Sequence, residues 1–373
     1  MPCDYKILPH KGIQTLAPYI PGKSIEELAR EKGIMNIIKL ASNENPRGCS
    51  PQVLEALSTL SRLQIATYPA PSNSPLLLKL AEKLHVHEGM LTLSNGSDAL
   101  FQLLLICFAL GSDKHIITHE YAFQAYAIQT KTLGIPLKIT PLLNDWQVDI
   151  EAIISTCTQK TALIFLANPN NPTGTLLSEA KIKHLLTHIP ETTLLVLDEA
   201  YNEYLSPADK VDTISLLTHY PNLVITRTFS KGYGLAGLRL GYAISNPTIQ
   251  GLLQKVILPF TINQAALTAG EAALDDEAFL LDSAALNRQE LKRIREAMTS
   301  LHFTCLPSPA NFITFDCNVD GKVIYEALLK HGIIVRPLHP YGLNNYLRVS
   351  TGTTEQTTYF IDILKKITKG LNA

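Results

Sequence analysis

The sequence predicts an α/β protein: a large unit with a mainly parallel sheet covered by helices, a smaller α+β unit after it, and an N-terminal arm before it. Three observations predict this. Short apolar runs without polar alternation recur at 91–93, 115–118, 137–140, 162–167, 194–197, 224–228 and 240–244. Strands that read apolar on both faces belong to parallel sheets buried on both sides. Helical patterns such as 178–188 separate these runs, which is the rhythm of strand–helix–strand units. Beyond about residue 259 the pattern changes to helices at 261–274 and 277–301, a strand at 312–315, a helix at 321–331, strands at 333–336 and 346–350, and a last helix at 354–366.

The opening segment is punctuated by Pro and Gly and reads as an arm. A helix over 51–63 follows, with Ser50 as its N-cap and Pro51 in the first helical position, where a missing N–H is harmless. Another helix is expected over 76–84. The expected division is an arm at 1–44 that forms part of the small domain, a large domain at 45–260 and a small domain at 261–373.

Composition narrows the function. A chain of 373 residues with 46% apolar and 17% charged residues suits a soluble enzyme with a large core. A formal net charge of −1 gives no general attraction to nucleic acid or anionic lipid, so any anion must be held by local placement of Arg and Lys. The first 22 residues lack a signal-peptide pattern, and the apolar run 103–110 is too short to span a membrane. Six cysteines contain no C-x-x-C pair, and the histidines form no metal-ligand spacing with them. The expectation is reduced thiols, no metal and a cytoplasmic protein.

The chemistry concentrates around Lys231, in Thr228-Phe-Ser-Lys-Gly-Tyr-Gly-Leu-Ala-Gly-Leu-Arg-Leu-Gly-Tyr242. A lysine that forms an imine must be reachable and lose its proton at working pH, helped by burial or a neighbouring cation. Ser230 and Arg239 add a hydroxyl and a guanidinium fork suited to a phosphate. Gly232, Gly234, Gly237 and Gly241 are expected to let the backbone turn tightly and approach a ligand. An amine beside two phosphate donors is the set that pyridoxal phosphate requires.

Four further segments fall at predicted strand ends, where open α/β sheets bind ligands. Asn95-Gly-Ser97-Asp98 opens a helix; either its first amides hold a phosphate or Ser97 or Asp98 simply caps it. Asn168-Pro-Asn-Asn171-Pro-Thr-Gly-Thr175 is a dense turn that offers neutral amide donors. Asp198 ends a strand with a carboxylate that would keep a pyridine nitrogen protonated, and Tyr201 follows three residues on. Phe123 is placed to stack on an aromatic ring, whereas Tyr126 reads as packing.

On these segments the chain resembles the fold-type I, class I/II pyridoxal-phosphate aminotransferases, and within them the histidinol-phosphate aminotransferase group. Ala17-Pro-Tyr-Ile-Pro-Gly22, Ala41-Ser-Asn-Glu-Asn-Pro46, Tyr68-Pro69, Ser308-Pro-Ala-Asn-Phe312, Val335-Arg-Pro337 and Tyr346-Leu-Arg-Val-Ser-Thr-Gly352 extend the likeness over nearly the whole chain. The resemblance implies that Lys231 bonds to the cofactor and shuttles the substrate's proton. It implies that Ser97, Asp98, Ser230 and Arg239 bind the cofactor phosphate, that Asn171, Asp198 and Tyr201 hold its ring, and that Phe123 stacks on it. Tyr68 would reach the phosphate from a partner subunit, which implies a homodimer with shared sites. Arg348 would grip a carboxylate near Asn43, and Arg336 with Tyr19 would read the far end of the substrate.

Histidinol phosphate has no α-carboxylate, so the arginines would meet its phosphate in one half-reaction and the carboxylates of glutamate or 2-oxoglutarate in the other. The sequence departs from the usual pattern at Ala99, where a glutamate is common, and at Tyr121, where a proline is common. The second departure suggests a wider substrate range. An aromatic amino-acid aminotransferase and a threonine-phosphate decarboxylase share the expected architecture. A non-enzymatic ligand sensor would bring a DNA-binding module, for which the arm leaves no room.

Overall fold

The computed structural model describes residues 3–18, 22–70 and 74–371. Its centre is a seven-stranded sheet in the order Leu91–Ser94, Gly241–Ser245, Leu223–Thr228, Leu194–Asp198, Thr161–Ala167, His115–His119, Leu137–Thr140. Gly241–Ser245 runs antiparallel to both of its neighbours, and the other pairings are parallel. Side chains alternate between faces along each strand, and both faces are buried here. Ile164, Leu166, Leu195, Leu197 and Ile225 enter one apolar cluster, while Leu163, Phe165, Leu194, Val196 and Val224 enter the other. Pro75–Leu84, Glu179–His188 and Gln264–Asp275 cover the first face; Ser97–Phe108 and Gln124–Thr132 cover the second.

A second, antiparallel sheet runs Arg336–Pro337, Tyr346–Ser350, Phe312–Asp316, Thr304–Cys305. The long helix Glu277–Ser300 and Thr354–Leu371 pack behind it through Ile294, Met298, Phe360 and Leu364. Ile38–Lys39 pairs in parallel with Ile333–Ile334, which ties the chain's opening segment to this second body. Among the described residues no helix is long and apolar enough to cross a membrane.

Several elements differ from expectation. The helix expected over 51–63 is two helices, Pro51–Ser58 and Arg62–Ala66. Ser61 starts the second with a reciprocal capping box to Gln64, which satisfies two otherwise unpaired amides and so favours a fresh helix start there. The strand expected over 333–336 splits, because Ile334 pairs toward residue 39 whereas Arg336 pairs with Arg348. Gln264–Asp275 packs into the large sheet's core through Ala266, Leu267 and Ala273, beside Leu76 and Leu240.

Of the four glycines in the lysine segment, Gly234 has the positive φ, +72°, and a Cβ there would lie 1.8 Å from the Gly48 carbonyl oxygen. Gly234→Ala must therefore enter a disfavoured backbone region and push a neighbouring chain aside. It is expected to lose more than about 2 kcal/mol of stability. Gly237→Ala, where a Cβ meets open space, is the matched control. Denaturant unfolding of the two variants side by side checks this.

Candidate active site

Six strands of the large sheet end at one edge, and the antiparallel strand Gly241–Ser245 begins there. The segments that follow five of them converge on a cavity of about 390 Å³. It is lined by Ser97, Asp98, Phe123, Asn171, Asp198, Tyr201, Ser230, Lys231 and Arg239 from the large sheet's side. Asn43, Arg336 and Arg348 line it from the opposite side. Twelve of the fourteen residues singled out by sequence thus meet in one place. Tyr68 lies outside the cavity, 80% exposed and stacked on Phe260 with ring centroids 4.4 Å apart. Tyr19 lies outside the described residues.

Lys231 follows the strand Leu223–Thr228, whose last hydroxyl, Thr228 Oγ1, accepts from the Ser230 amide at 3.1 Å. The lysine Nζ donates to the Ser42 carbonyl oxygen at 2.9 Å. Burial and then the nearby charge of Arg348 lower its pKa to about 8. Both effects disfavour the ammonium form, so a useful fraction of the amine is neutral near physiological pH.

Asp198 ends the central strand Leu194–Asp198 and is buried. Desolvation raises its pKa to about 7 even though it accepts from Tyr126 Oη at 2.8 Å and Thr226 Oγ1 at 3.3 Å. An isolated buried carboxylate of this kind is stabilised as an anion by a cationic partner. Tyr201 is also buried; its hydroxyl accepts from Asn43 Nδ2 at 2.9 Å, and desolvation pushes its pKa up to about 12, so it stays a donor. Phe123 sits immediately before Gln124–Thr132, its ring edge-on to Tyr126 at 5.7 Å.

The helix Ser97–Phe108 is capped by Gly96, with no side chain bonded to its first amides. The ordinary side-chain cap that the sequence left open is therefore not made. Arg239 closes on this helix start, with Nη2 3.6 Å from Asp98 Oδ2 and Nη1 3.5 Å from Ser230 Oγ. Space here is tight: a Cβ at Gly96 would lie 2.5 Å from Arg239 Nη2, and one at Gly241 2.5 Å from the Ser97 nitrogen. Amides, a hydroxyl and a guanidinium around a helix's positive end form an anion cradle.

Arg348, buried, donates to Asn171 Oδ1 and, at 2.7 Å, to the Ala41 carbonyl oxygen; its guanidinium lies 5.3 Å from the Phe312 ring centre. Arg336 is its direct Cα partner on the adjacent antiparallel strand, so the two side chains share a face. Like charges directly opposite one another destabilise a sheet. An anion held between them offsets that repulsion.

The model of the family described as aminotransferase class I and II matches residues 35–364. The chain belongs to that family. This aminotransferase is 54% identical to histidinol-phosphate aminotransferase 2 of Legionella pneumophila (strain Lens), over 98% of this chain and 99% of that one. It is 44% identical to histidinol-phosphate aminotransferase 1 of Mannheimia succiniciproducens, over 95% and 96%. Among solved structures it superposes on histidinol-phosphate aminotransferase from Sinorhizobium meliloti in complex with pyridoxal-5′-phosphate. That match has a TM-score of 0.87 and 28% identity, and covers 98% of each chain.

The aminotransferase's site also holds groups that sequence reasoning missed. Tyr126, read as packing, donates to Asp198; its partner is 72 residues away, and the one clue was its position three residues after Phe123, on the same helix face. The carbonyls of Ala41 and Ser42, which receive Arg348 and Lys231, carry no side-chain signature at all.

Two outcomes follow for the aminotransferase. In cofactor-free protein, reductive trapping of Lys231 with an aldehyde should show a midpoint near pH 8. Arg348→Gln removes a positive charge and should move that midpoint upward. A midpoint at the ordinary lysine value, unmoved by the substitution, would contradict the electrostatics. Tyr126→Phe removes a donor to Asp198 and should weaken retention of the cofactor by about 10- to 100-fold, as loss of a group orienting a buried ligand does; equilibrium dialysis measures it.

Proposed function

We propose that the chain is a pyridoxal 5′-phosphate-dependent aminotransferase that interconverts L-histidinol phosphate and its oxo partner, with glutamate and 2-oxoglutarate as the other pair. The observation that carries the reading is the placement of Arg336 directly across from Arg348, over the cavity that contains Lys231. Two guanidinium forks on one face suit substrates that present a phosphate in one half-reaction and carboxylates in the other. The names of the relatives agree with it.

The residues present fit the cofactor. The uncapped helix start at Ser97 and Asp98, with Ser230 and Arg239, would hold its phosphate. Asp198, oriented by Tyr126, would sit at its ring nitrogen, Asn171 and Tyr201 at its ring oxygen, and Phe123 on its ring face. When bound, pyridoxal phosphate supplies an electron-withdrawing ring that makes the substrate's Cα–H acidic. Lys231, with its lowered pKa, takes that proton and returns one. Arg348 and Arg336 orient the substrate so that the Cα–H is the bond presented, and Asn43 fixes Tyr201 while they do so.

We further propose a homodimer with shared sites. Tyr68 is exposed and stacked on Phe260, and Leu63, Ile65 and Leu258, close to one or the other in sequence, are also at least half exposed; so many apolar side chains left in solvent suit burial by a second copy. The division into an arm (1–44), a large domain and a small domain is part of this reading. We place the large domain's end after Gln264–Asp275 rather than at residue 260, because that helix packs on the large sheet. A cytoplasmic location agrees with six cysteines in no paired spacing.

One observation favours a second reading, an aromatic amino-acid aminotransferase. A cleft of about 830 Å³ adjoins the cavity and is lined by Tyr121, Phe123, Ile128, Tyr341 and Arg336, with room for a neutral aromatic side chain. The test is to mix holoenzyme separately with L-histidinol phosphate and L-phenylalanine and follow the cofactor's visible absorbance. Fast conversion with histidinol phosphate alone supports the first reading; equal or faster conversion with phenylalanine supports the second. Carbon dioxide release without an oxo-acid acceptor would instead mark a decarboxylase. Arg336→Ala should raise KM for histidinol phosphate by about 10- to 100-fold, the worth of a charge-assisted contact. It should raise KM for phenylalanine far less; equal effects would remove Arg336 from phosphate recognition.

A further inference from the structure

Behind the active site lies a second concavity of about 430 Å³, between the long helix Glu277–Ser300 and the loops at 206–209 and 307–309. It shares no lining residue with the catalytic cavity. Arg288, Lys292 and Arg295 all line it. Their spacing, i, i+4 and i+7, puts three cations on one stripe of a helix. Like charges at such spacing destabilise a helix, and here all three are exposed and border one groove.

The charge around the groove is not balanced by the protein. Asp209 is the one carboxylate that lines it, and it accepts from Ser206 Oγ at 2.7 Å. Lys292 approaches Glu296 only at 3.9 Å, along its own helix. Arg295 Nη2 reaches the Ser308 carbonyl oxygen at 3.3 Å, a neutral acceptor. The groove is also lined by Tyr204 and Ser308, both more than nine-tenths buried, and the Ser308 hydroxyl has no hydrogen-bond partner among the described residues. Guanidinium groups, an ammonium and hydroxyls around one hollow are the donor set of a multiply charged oxyanion.

We infer that this groove is a binding site for a dianionic phosphate group, separate from the catalytic cavity. Its walls give the site reach. Gly174 lines it and belongs to the same turn as Asn171; a Cβ at Gly174 would lie 2.4 Å from Ser308 Cβ, so turn and groove wall are in close contact. Tyr204 lies three residues after Tyr201 in the turn Asn202–Tyr204. An occupant therefore touches the reverse side of two segments whose front sides present Asn171 and Tyr201 to the reaction. The phosphate is either free or that of a small ester; both present the same oxygens to the arginines.

Isothermal titration of holoenzyme at fixed ionic strength tests this, with inorganic phosphate and glycerol phosphate as separate probes and chloride as the control. Arg336→Ala is the background in which active-site phosphate binding is reduced. In that background the phosphate site is expected to persist and to discriminate against chloride. Arg288→Gln with Arg295→Gln should weaken it about tenfold or more, as loss of two charge-assisted contacts implies. Asp209→Asn should tighten it by removing the lone opposing carboxylate, an opposite sign that a folding defect does not produce. Binding of glycerol phosphate as tight as that of free phosphate points to an ester as occupant; binding of inorganic phosphate alone points to the free ion. Phosphate binding unchanged by the double substitution, or no binding beyond that of chloride, overturns the assignment.

Discussion

Two neighbouring carbonyls, those of Ala41 and Ser42, each receive a hydrogen bond from a different cation, Arg348 and Lys231. The rest of the site depends on that short stretch. It is anchored to the smaller sheet, where the Ser350 amide donates to the Leu40 carbonyl at 2.9 Å. It is anchored to the lysine loop as well, because Asn45 Nδ2 donates to the Gly232 carbonyl at 2.9 Å. Asn43 between them adopts a left-handed backbone, φ 55°, which asparagine tolerates better than most residues. Its amide donates to Ser350 Oγ, its side chain donates to Tyr201, and its carbonyl accepts from Asn311. One residue thus joins the smaller sheet to Tyr201, which follows the large sheet's central strand.

This arrangement explains how two positive groups coexist in one enclosed space. Each is desolvated, which disfavours charge, and each feels the other. The guanidinium stays protonated whatever its surroundings. The lysine, as the more easily deprotonated of the two, absorbs the conflict, and its pKa falls to about 8. Asp198 experiences the opposite pressure: desolvated, and with only neutral donors bonded to it, its carboxyl is pushed up to about 7. The cavity accordingly holds an amine that readily gives up its proton and an acid that readily keeps one.

The large sheet was legible because period and length decide it: all seven strands announce themselves as apolar runs, and alternate residues such as Leu163 and Ile164 do enter opposite cores. The site was legible where a side-chain type is itself the signal, as at Lys231, Asp198 and the 168–175 turn. It was not legible where the backbone acts. No residue pattern reveals that the carbonyls of Ala41 and Ser42 would receive charge, and the position of Tyr126 three residues after Phe123 does not name Asp198 as its partner. The helix break before Arg62 had a signal, the Ser61-x-x-Gln64 box, but the apolar content of 51–63 outweighed it. Two-residue strands such as Ile38–Lys39 are too short for any periodicity and exist because a distant partner is present.

The proximity of Arg348 to Lys231 has a further consequence. An anion that docks on Arg348 screens the charge that holds the lysine's basicity down, so its arrival raises the lysine's affinity for a proton. Coupling of this kind is reciprocal: a protonated lysine must also grip the anion more tightly. An anion at Arg348 would therefore be felt at the amine as a change in acidity, through charge alone.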